Sequence, residues 1–233
     1  MQRWLAGSVL FLFLAAGARG RAAAPVTADP TVLQRFFDSD NIVLSEYRAH
    51  RHLEARNDHF DKQGWMDVWT EADVSGFRYE VIAEGGSAYI KTRLFLAALD
   101  AERDLWTTGA ARRGAITPEN YTFEDFGEDE ATGLTRVKVT PRRKDVLLFD
   151  GWIFLRSDAG DLVRITGLLS KAPSFWTRRV EIVREYERVA GVRVPVAFRT
   201  VANLRLAGKS TFTMSYAYER INGQMVGHSP AKP

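Results

Sequence analysis

The sequence predicts an α+β protein with one strongly curved antiparallel sheet, a half-barrel of about ten strands wrapped around one or two helices. Three observations lead to this prediction. Apolar and polar residues alternate along most of the chain, as they do in strands. Turn sequences, several of them containing glycine, separate the alternating segments. Only two stretches have apolar residues at helical spacing, and a sheet this large must curl to bury one face.

The first predicted helix is short and begins at Asp29-Pro30, because Asp is a good N-cap and Pro is favoured at the first helical position. Its apolar face comprises Val32, Leu33, Phe36 and Phe37. The second predicted helix runs from about Thr92 to Thr107 and is rich in strong helix formers. Gly109 is its predicted end.

The remaining segments are predicted strands. Three of them precede the long helix, within residues 41–56, 64–73 and 76–86. Seven follow it, at 121–126, 134–140, 145–156, 161–170, 178–189, 193–206 and 210–221. The pair Asp150-Gly151 forms either a tight hairpin or a bulge within one long strand.

The chain divides into three predicted parts. Residues 1–24 resemble a secretory signal peptide, since Arg3 precedes an apolar run that ends near residue 16 and small residues follow. That run is shorter than the ~20 residues that span a bilayer, although a retained anchor stays an alternative and the cleavage point is open. Residues 25–223 form one domain, and residues 224–233 form a flexible tail.

Composition excludes several classes of function. The chain has 32 basic and 29 acidic residues, and three of its arginines lie in residues 1–24. The remainder is therefore neutral overall, which gives no support to nucleic-acid binding. There is no cysteine, so disulfides, thiolate metal sites and a lipid-modified cysteine are excluded. Export without cysteine suits a periplasmic protein.

The sequence contains no recognisable catalytic motif, so we predict no enzymatic activity and no cofactor. His50 and His52 share one face of a strand, and with His59 they approximate a zinc site. No carboxylate or cysteine completes a known ligand spacing, so surface polar residues are the preferred interpretation and no metal is predicted.

Two charged segments have alternative interpretations. The first is an acidic cluster: Glu124, Asp125, Glu128, Asp129 and Glu130. It suggests calcium binding or acid–base chemistry, but a solvated turn is the preferred interpretation because the cluster does not have the EF-hand spacing. The basic stretch TPRRKD at 140–145 suits anionic lipid headgroups or a partner surface, with a charged turn as the preferred alternative.

The apolar faces of the helix and strands predict a ligand cavity between them, because two helices are too few to cover so broad a sheet. Core packing is the alternative for each residue taken alone. The predicted lining comprises Leu94, Phe95, Leu99, Trp152, Phe154, Ile182, Tyr186, Val196, Phe198, Phe212, Met214 and Tyr216. Arg184 is a predicted polar residue of the cavity, and Phe175-Trp176 is a predicted gate at its rim, or a plug.

Four segments carry a family resemblance: VKVTPRRKDV, LVRITGLLSKAPSFW, YERVAGVRVPV and FTMSYAYERING, all within residues 120–223. In their residue patterns and their order along the chain, they resemble the LolA/LolB-like carriers, the outer-membrane lipoprotein-sorting proteins of bacteria. The resemblance implies a periplasmic half-barrel with helices beneath it and a cavity for acyl chains. It also implies an arginine near the cavity, for which Arg51 and Arg184 are the candidates.

The expected function is therefore that of a monomeric periplasmic carrier of lipid or of acylated lipoproteins, with an inner- or outer-membrane protein as a possible partner and no nucleic acid. The alternative is a periplasmic sensor or protein-interaction module on the same fold, without lipid transport.

Overall fold

We analysed a computed structural model of the chain, which describes residues 31–39 and 42–227. The predicted signal peptide, the predicted helix start at Asp29-Pro30 and the last six residues of the predicted tail lie outside this range. The predicted fold class is confirmed: a curved, unclosed antiparallel sheet packs against one long helix and one short helix.

The described residues form eleven strands. Their bounds are β1 Tyr47–Asn57, β2 Lys62–Asp73, β3 Gly76–Gly86, β4 Tyr121–Asp129, β5 Leu134–Pro141, β6 Phe149–Arg156, β7 Leu162–Leu169, β8 Thr177–Val189, β9 Val192–Leu204, β10 Gly208–Ile221 and β11 Gln224–Met225. The strand order across the sheet is β3-β2-β1-β10-β9-β8-β7-β6-β5-β4, and β11 pairs with β10. Strands β3 and β4 are thus the open edges, and β1 pairs with β10 although the two are distant in sequence.

Helix α1, Val32–Asp38, begins two residues later than the predicted first helical residue, Pro30. Its N-cap is Thr31, whose hydroxyl accepts from Gln34 N at 3.2 Å, while Gln34 Oε1 accepts from Thr31 N. This reciprocal pair is a capping box, which satisfies two backbone donors at the helix start.

The long helix extends over three consecutive parts: α2 Ala88–Ile90, a π-helical segment Lys91–Leu96, and α3 Ala97–Thr108. It begins four residues before the predicted Thr92. Gly109 ends it in the left-handed conformation at φ 64°, as predicted. A 3₁₀ turn, Ala110–Gly114, follows.

Strand β6 starts at Phe149, whereas the sequence places its start at residue 145. Asp150-Gly151 forms neither a hairpin nor a bulge, because both residues pair in continuous register with β7. Gly151 lies directly opposite Gly167, and a Cβ on Gly151 would lie 2.0 Å from Thr166 O. The two strands approach so closely there that only glycine fits.

The predicted tail begins at residue 224, but Gln224–Met225 form strand β11 and pair with Ile221 and Arg220. The chain therefore stays attached to the sheet beyond the predicted domain end at residue 223.

One face of the sheet, here called the inner face, packs against the long helix. A row of inner-face residues crosses eight strands in register: Met66, Leu53, Met214, Phe198, Arg184, Ile165, Ile153 and Val137. All eight are buried, and seven of them are apolar. This row is the centre of the core.

Candidate functional site

The space between the inner face and the long helix is the candidate site. Most of the predicted lining residues meet there: Phe95 and Leu99 on the helix are fully buried, and the Phe95 ring lies 5.9 Å from that of Phe212. Leu94 is half-buried and packs against the same core. The other buried members of the predicted set are Ile182, Tyr186, Val196, Phe198, Met214 and Tyr216.

The prediction that Trp152 and Phe154 face this interior is wrong. Both lie on the outer face, where Trp152 contacts Phe126 at 4.9 Å between ring centroids. Phe154 pairs with Arg136 and Arg164 on the neighbouring strands. The segment LLFDGWIFL is apolar on both faces, so alternation does not indicate which side is inside, and pairing with the neighbouring strands decides it.

A buried ion pair joins the sheet to the helix. Arg51 on β1 and Glu102 on α3 are each only 1% exposed. Arg51 Nη1 donates to Glu102 Oε2 at 2.6 Å and Nη2 donates to Oε1 at 2.7 Å. Tyr47 Oη completes the cluster, accepting from Arg51 Nη2 and donating to Glu102 Oε1 at 2.9 Å. The two-pronged geometry orients the helix as well as attracting it.

Aromatic rings enclose the Arg51 guanidinium, whose carbon lies 4.7 Å from the ring centroid of Tyr216 and 5.6 Å from that of Phe77. Burial by itself would lower the pKa of Arg51, but the charge of Glu102 raises it well above the usual range. Arg51 is therefore a permanent cation in an apolar setting. Removing its partner would leave a buried charge unpaired, which typically costs about 3–5 kcal/mol.

Sequence reasoning named Arg51 only through the family resemblance and did not find Glu102. A signal for Glu102 was present: it follows Phe95 by seven residues and Leu99 by three, so it shares their helix face. A charge on an apolar helix face and an opposite charge on an apolar strand face together indicate a buried pair.

Arg184 lies on the inner face as predicted and is 3% exposed. Its guanidinium carbon lies 4.6 Å from the ring centroid of Phe198, its neighbour on β9. The interior thus holds two arginines, one clamped by Glu102 and one stacked on an aromatic ring.

Phe175 and Trp176 lie outside this interior, at the end of the β7–β8 connection. Their rings meet edge to face at 5.5 Å, and both side chains are exposed. Arg205 stacks on Phe175 at 4.7 Å and donates from Nε to Phe175 O at 2.9 Å. The pair thus lies at a rim, and its role as a gate stays a prediction.

The histidines do not converge on a metal site. His50 and His52 lie on the outer face of β1 and both approach Asp67 Oδ1, at 3.7 and 2.8 Å respectively. His59 lies in the β1–β2 turn against Phe60. In the part of the chain that the structure describes, no group of three His, Cys, Asp or Glu side chains is arranged to hold a metal ion.

The two charged segments lie at opposite ends of edge hairpin β4–β5. The acidic residues lie along β4 and at the start of the turn that follows it, where Asp129 O accepts a hydrogen bond from Gly133 N. The basic stretch forms the β5–β6 connection at the other end, where Arg143 Nη1 donates to Asn120 Oδ1 at 2.6 Å. Lys144 beside it is exposed.

A groove of about 440 Å³ lies on the outer face of β8, β9 and β10, not on the inner face. Its lining is of mixed polarity: Glu181, Val183, Arg199, Val201, Asn203 and Lys209. The inner face in this state is filled by the protein's own side chains.

Comparisons with known proteins concern the fold. No protein-family model and no curated protein sequence matches the chain. Among solved structures, a domain from Vibrio parahaemolyticus described as outer membrane lipoprotein-sorting is 10% identical, covering 83% of this chain and 92% of that one at a TM-score of 0.46. A LolA superfamily protein from Nitrosomonas europaea is 11% identical, covering 79% and 89% at a TM-score of 0.37.

A DUF1329 family protein from Desulfovibrio piger is similar at 12% identity, covering 81% and 92% at a TM-score of 0.38. At 10 to 12% identity and TM-scores below 0.5, these likenesses assign neither a family nor a ligand to the chain. Across residues 31–39 and 42–227, no helix is long and apolar enough to cross a membrane.

Proposed function

We propose that the protein is a non-enzymatic periplasmic carrier that binds a lipid, or the acyl chains of a lipoprotein, between the curved sheet and the long helix. The observation that carries the proposal is how the interior is built: a broad apolar sheet face has one long helix over it, fastened by the buried pair Arg51–Glu102. Burial of acyl chains there would contribute about 25 cal/mol per Å² without any reactive group.

Cargo entry requires the long helix to move, because Phe95 and Leu99 occupy the space in the described state. The π-helical segment Lys91–Leu96 supports such movement, since π-helical turns are rare and recur at functional sites. An acyl chain that replaces Phe95 against Phe212 would keep that part of the sheet face covered.

A crosslink between the helix and the sheet tests this proposal directly. Tyr79 Oη on β3 donates to Asp100 Oδ1 on α3 at 3.0 Å, and both side chains reach solvent. Because the chain has no cysteine, Tyr79→Cys with Asp100→Cys gives two thiols that a short bis-maleimide can join. The same variant blocked with a mono-maleimide is the matched control.

We expect the blocked control to bind a fluorescent fatty acid and the crosslinked form to bind it at least tenfold more weakly. Lipid extracted from the purified protein and identified by mass spectrometry would give the cargo class. The proposal is contradicted if the purified protein contains no lipid and the blocked control does not bind the fluorescent fatty acid. Equal binding by the two forms would contradict entry beneath the helix.

A second candidate function, a periplasmic sensor or protein-interaction module, has one observation in its favour: the inner face is filled by the protein's own side chains. In that case the exposed edges β3 and β4 or the outer-face groove would make the contacts. Recovery of a stable protein partner by a chain that carries no lipid would favour this candidate.

Amino-terminal sequencing of the exported protein tests the predicted removal of residues 1–24.

A further inference from the structure

One end of the sheet gathers five adjacent parts of the chain that the carrier proposal leaves unused. They are the connections β5–β6 at 142–148, β7–β8 at 170–176, β9–β10 at 205–207 and β1–β2 at 58–61, together with the start of the long helix at Tyr89. We call them, with the flanking residues Lys62 and Lys209, the basic–aromatic rim.

Hydrogen bonds connect these parts in sequence around the rim. Asp145 N donates to Ser170 Oγ at 3.1 Å, which joins the first connection to the second. Arg205 N donates to Trp176 O at 2.8 Å, and Asn57 Nδ2 donates to Ala207 O at 2.9 Å. Lys62 then lies 5.9 Å from the Phe60 ring and 5.6 Å from the Tyr89 ring. The rim is therefore one continuous surface.

Large apolar side chains project from this surface into solvent. Phe175 is 73% exposed near the end of the β7–β8 connection, and Leu206 is 71% exposed in the middle of the β9–β10 connection. Phe60, Tyr89 and Trp176 are also exposed. Such a concentration of exposed aromatic residues on adjacent turns marks an interaction surface.

The charge of the rim is mainly positive. Lys62, Lys144, Lys171 and Lys209 are exposed and form no ion pair with any described residue. Two of the three acidic residues are already engaged: Asp58 pairs with Arg56, and Asp145 is buried against Arg113. At the opposite end of the sheet, the turns between the described strands carry Glu130, Asp158 and Asp161 and no lysine or arginine.

We propose that the basic–aromatic rim docks the protein on the surface of a membrane that contains anionic phospholipids. Aromatic side chains favour the boundary between headgroups and acyl chains, and each nearby lysine or arginine adds attraction to anionic lipid. Phe175, Trp176 and Leu206 enter the boundary region, while the lysines contact the headgroups. Docking does not depend on whether the interior holds a lipid.

An acidic protein surface would match the same charge, but the composition of the rim fits it less well. Lysine is depleted in protein–protein interfaces, whereas four exposed lysines accompany the aromatic residues here. The apolar side chains also lie on connections beyond the ends of the strands, a placement that suits shallow insertion into a membrane surface.

Vesicle sedimentation tests the proposal. The full chain is mixed with vesicles of phosphatidylcholine alone or of phosphatidylcholine with phosphatidylglycerol, at low and high salt. Two rim variants are compared with the parent: Lys171→Glu with Lys209→Glu, and Phe175→Ser with Leu206→Ser. The controls outside the rim are Arg220→Glu, an exposed cation at the other end of the sheet, and Phe126→Ser, an exposed aromatic on edge strand β4. All share the same N-terminal residues, so differences report the rim.

We expect binding to the anionic vesicles that weakens with salt. The double charge variant should bind the anionic vesicles at least about 25-fold more weakly than the parent, because each basic residue lost should weaken binding about fivefold. The double apolar variant should bind at least about tenfold more weakly. The controls should bind vesicles like the parent, and the double charge variant and both controls should keep the fatty-acid binding of the parent.

Three results would overturn the proposal: equal binding to neutral and anionic vesicles, rim variants that bind like the parent, or association with an acidic protein but not with anionic vesicles. A parent protein that binds anionic vesicles but does not bind the fatty acid would contradict the carrier proposal and would not contradict the rim proposal.

Discussion

Two neighbouring residues of strand β1 contact carboxylates on opposite faces of the sheet. Arg51 points inward and meets Glu102, both almost inaccessible to water. His52 points outward and meets Asp67, with 46% and 26% of the two side chains exposed. Water and salt screen the outer pair, whereas nothing but protein surrounds the inner one. A side chain of β1 that contacts a carboxylate therefore holds the helix on the inner face and makes only a weak surface interaction on the outer face.

The largest expected effect is on the inner face. Glu102→Ala removes the carboxylate and leaves the Arg51 guanidinium buried without its ion-pair partner. We expect the free energy of unfolding to fall by about 3–5 kcal/mol, measured by urea denaturation at constant salt.

The matched control replaces all three members of the cluster, Arg51→Met with Glu102→Leu and Tyr47→Phe, so that no buried polar group loses its partners. This triple variant should be close to the parent in stability or above it, since apolar replacements of a buried pair are often neutral or stabilising. A loss of under about 1 kcal/mol for Glu102→Ala would mean that the inner pair behaves like a surface pair.

A second comparison of the two faces uses adjacent residues of strand β8. Ile182 is buried on the inner face, and Val183 lines the outer groove. Ile182→Ala should cost about 2–5 kcal/mol, because it removes buried methyl groups and leaves a cavity. Val183→Ala should cost about 1 kcal/mol or less. Equal losses in urea denaturation would mean that the outer face is as tightly packed as the inner one.

Burial also separates the phenols of the interior from water. It raises the pKa of Tyr47, Tyr216 and Tyr218 in the folded protein above the ordinary value near 10. The unfolded chain therefore loses these protons first as the pH rises, which favours unfolding. We expect full stability below about pH 10 and a decline above it of up to about 1.4 kcal/mol per pH unit for each phenol.

Urea denaturation between pH 8 and about 12, with tyrosinate absorbance as a second signal, checks this decline. Tyr216→Phe should make the decline shallower by the contribution of one phenol. A tyrosinate signal that rises fully while the protein stays folded would show that water reaches these rings.

Alternation was sufficient to predict the half-barrel and most of its inner face from sequence, because strands such as β8 and β10 have one apolar and one polar face. It failed at Trp152 and Phe154, where both faces of β6 are apolar and the close approach of Gly151 to Gly167 fixes the register. That approach depends on strands 16 residues apart in sequence, so local pattern does not contain it.

The inner ion pair was partly predictable. Arg51 shares a strand face with Tyr47, Ala49 and Leu53, and Glu102 shares a helix face with Phe95, so each charge is visible as an exception to its pattern. Their pairing is not visible, because it requires knowing that β1 and α3 face each other. The rim was also partly predictable: the sequence indicated Phe175-Trp176 and the basic stretch at 140–145, but the β1–β2 turn and Tyr89 join them only once β1 pairs with β10.

The smallest expected effect belongs to the outer pair of β1. A double-mutant cycle with His52→Ala and Asp67→Ala should give a coupling energy of about 1 kcal/mol or less, because water competes for both side chains and added salt screens them. The same cycle applied to Arg51→Ala and Glu102→Ala should give a larger coupling that salt barely changes. Measuring both cycles by urea denaturation at low and high salt compares the two faces of one strand directly. An outer coupling as large as the inner one, and equally resistant to salt, would show that access to water does not decide the strength of these pairs.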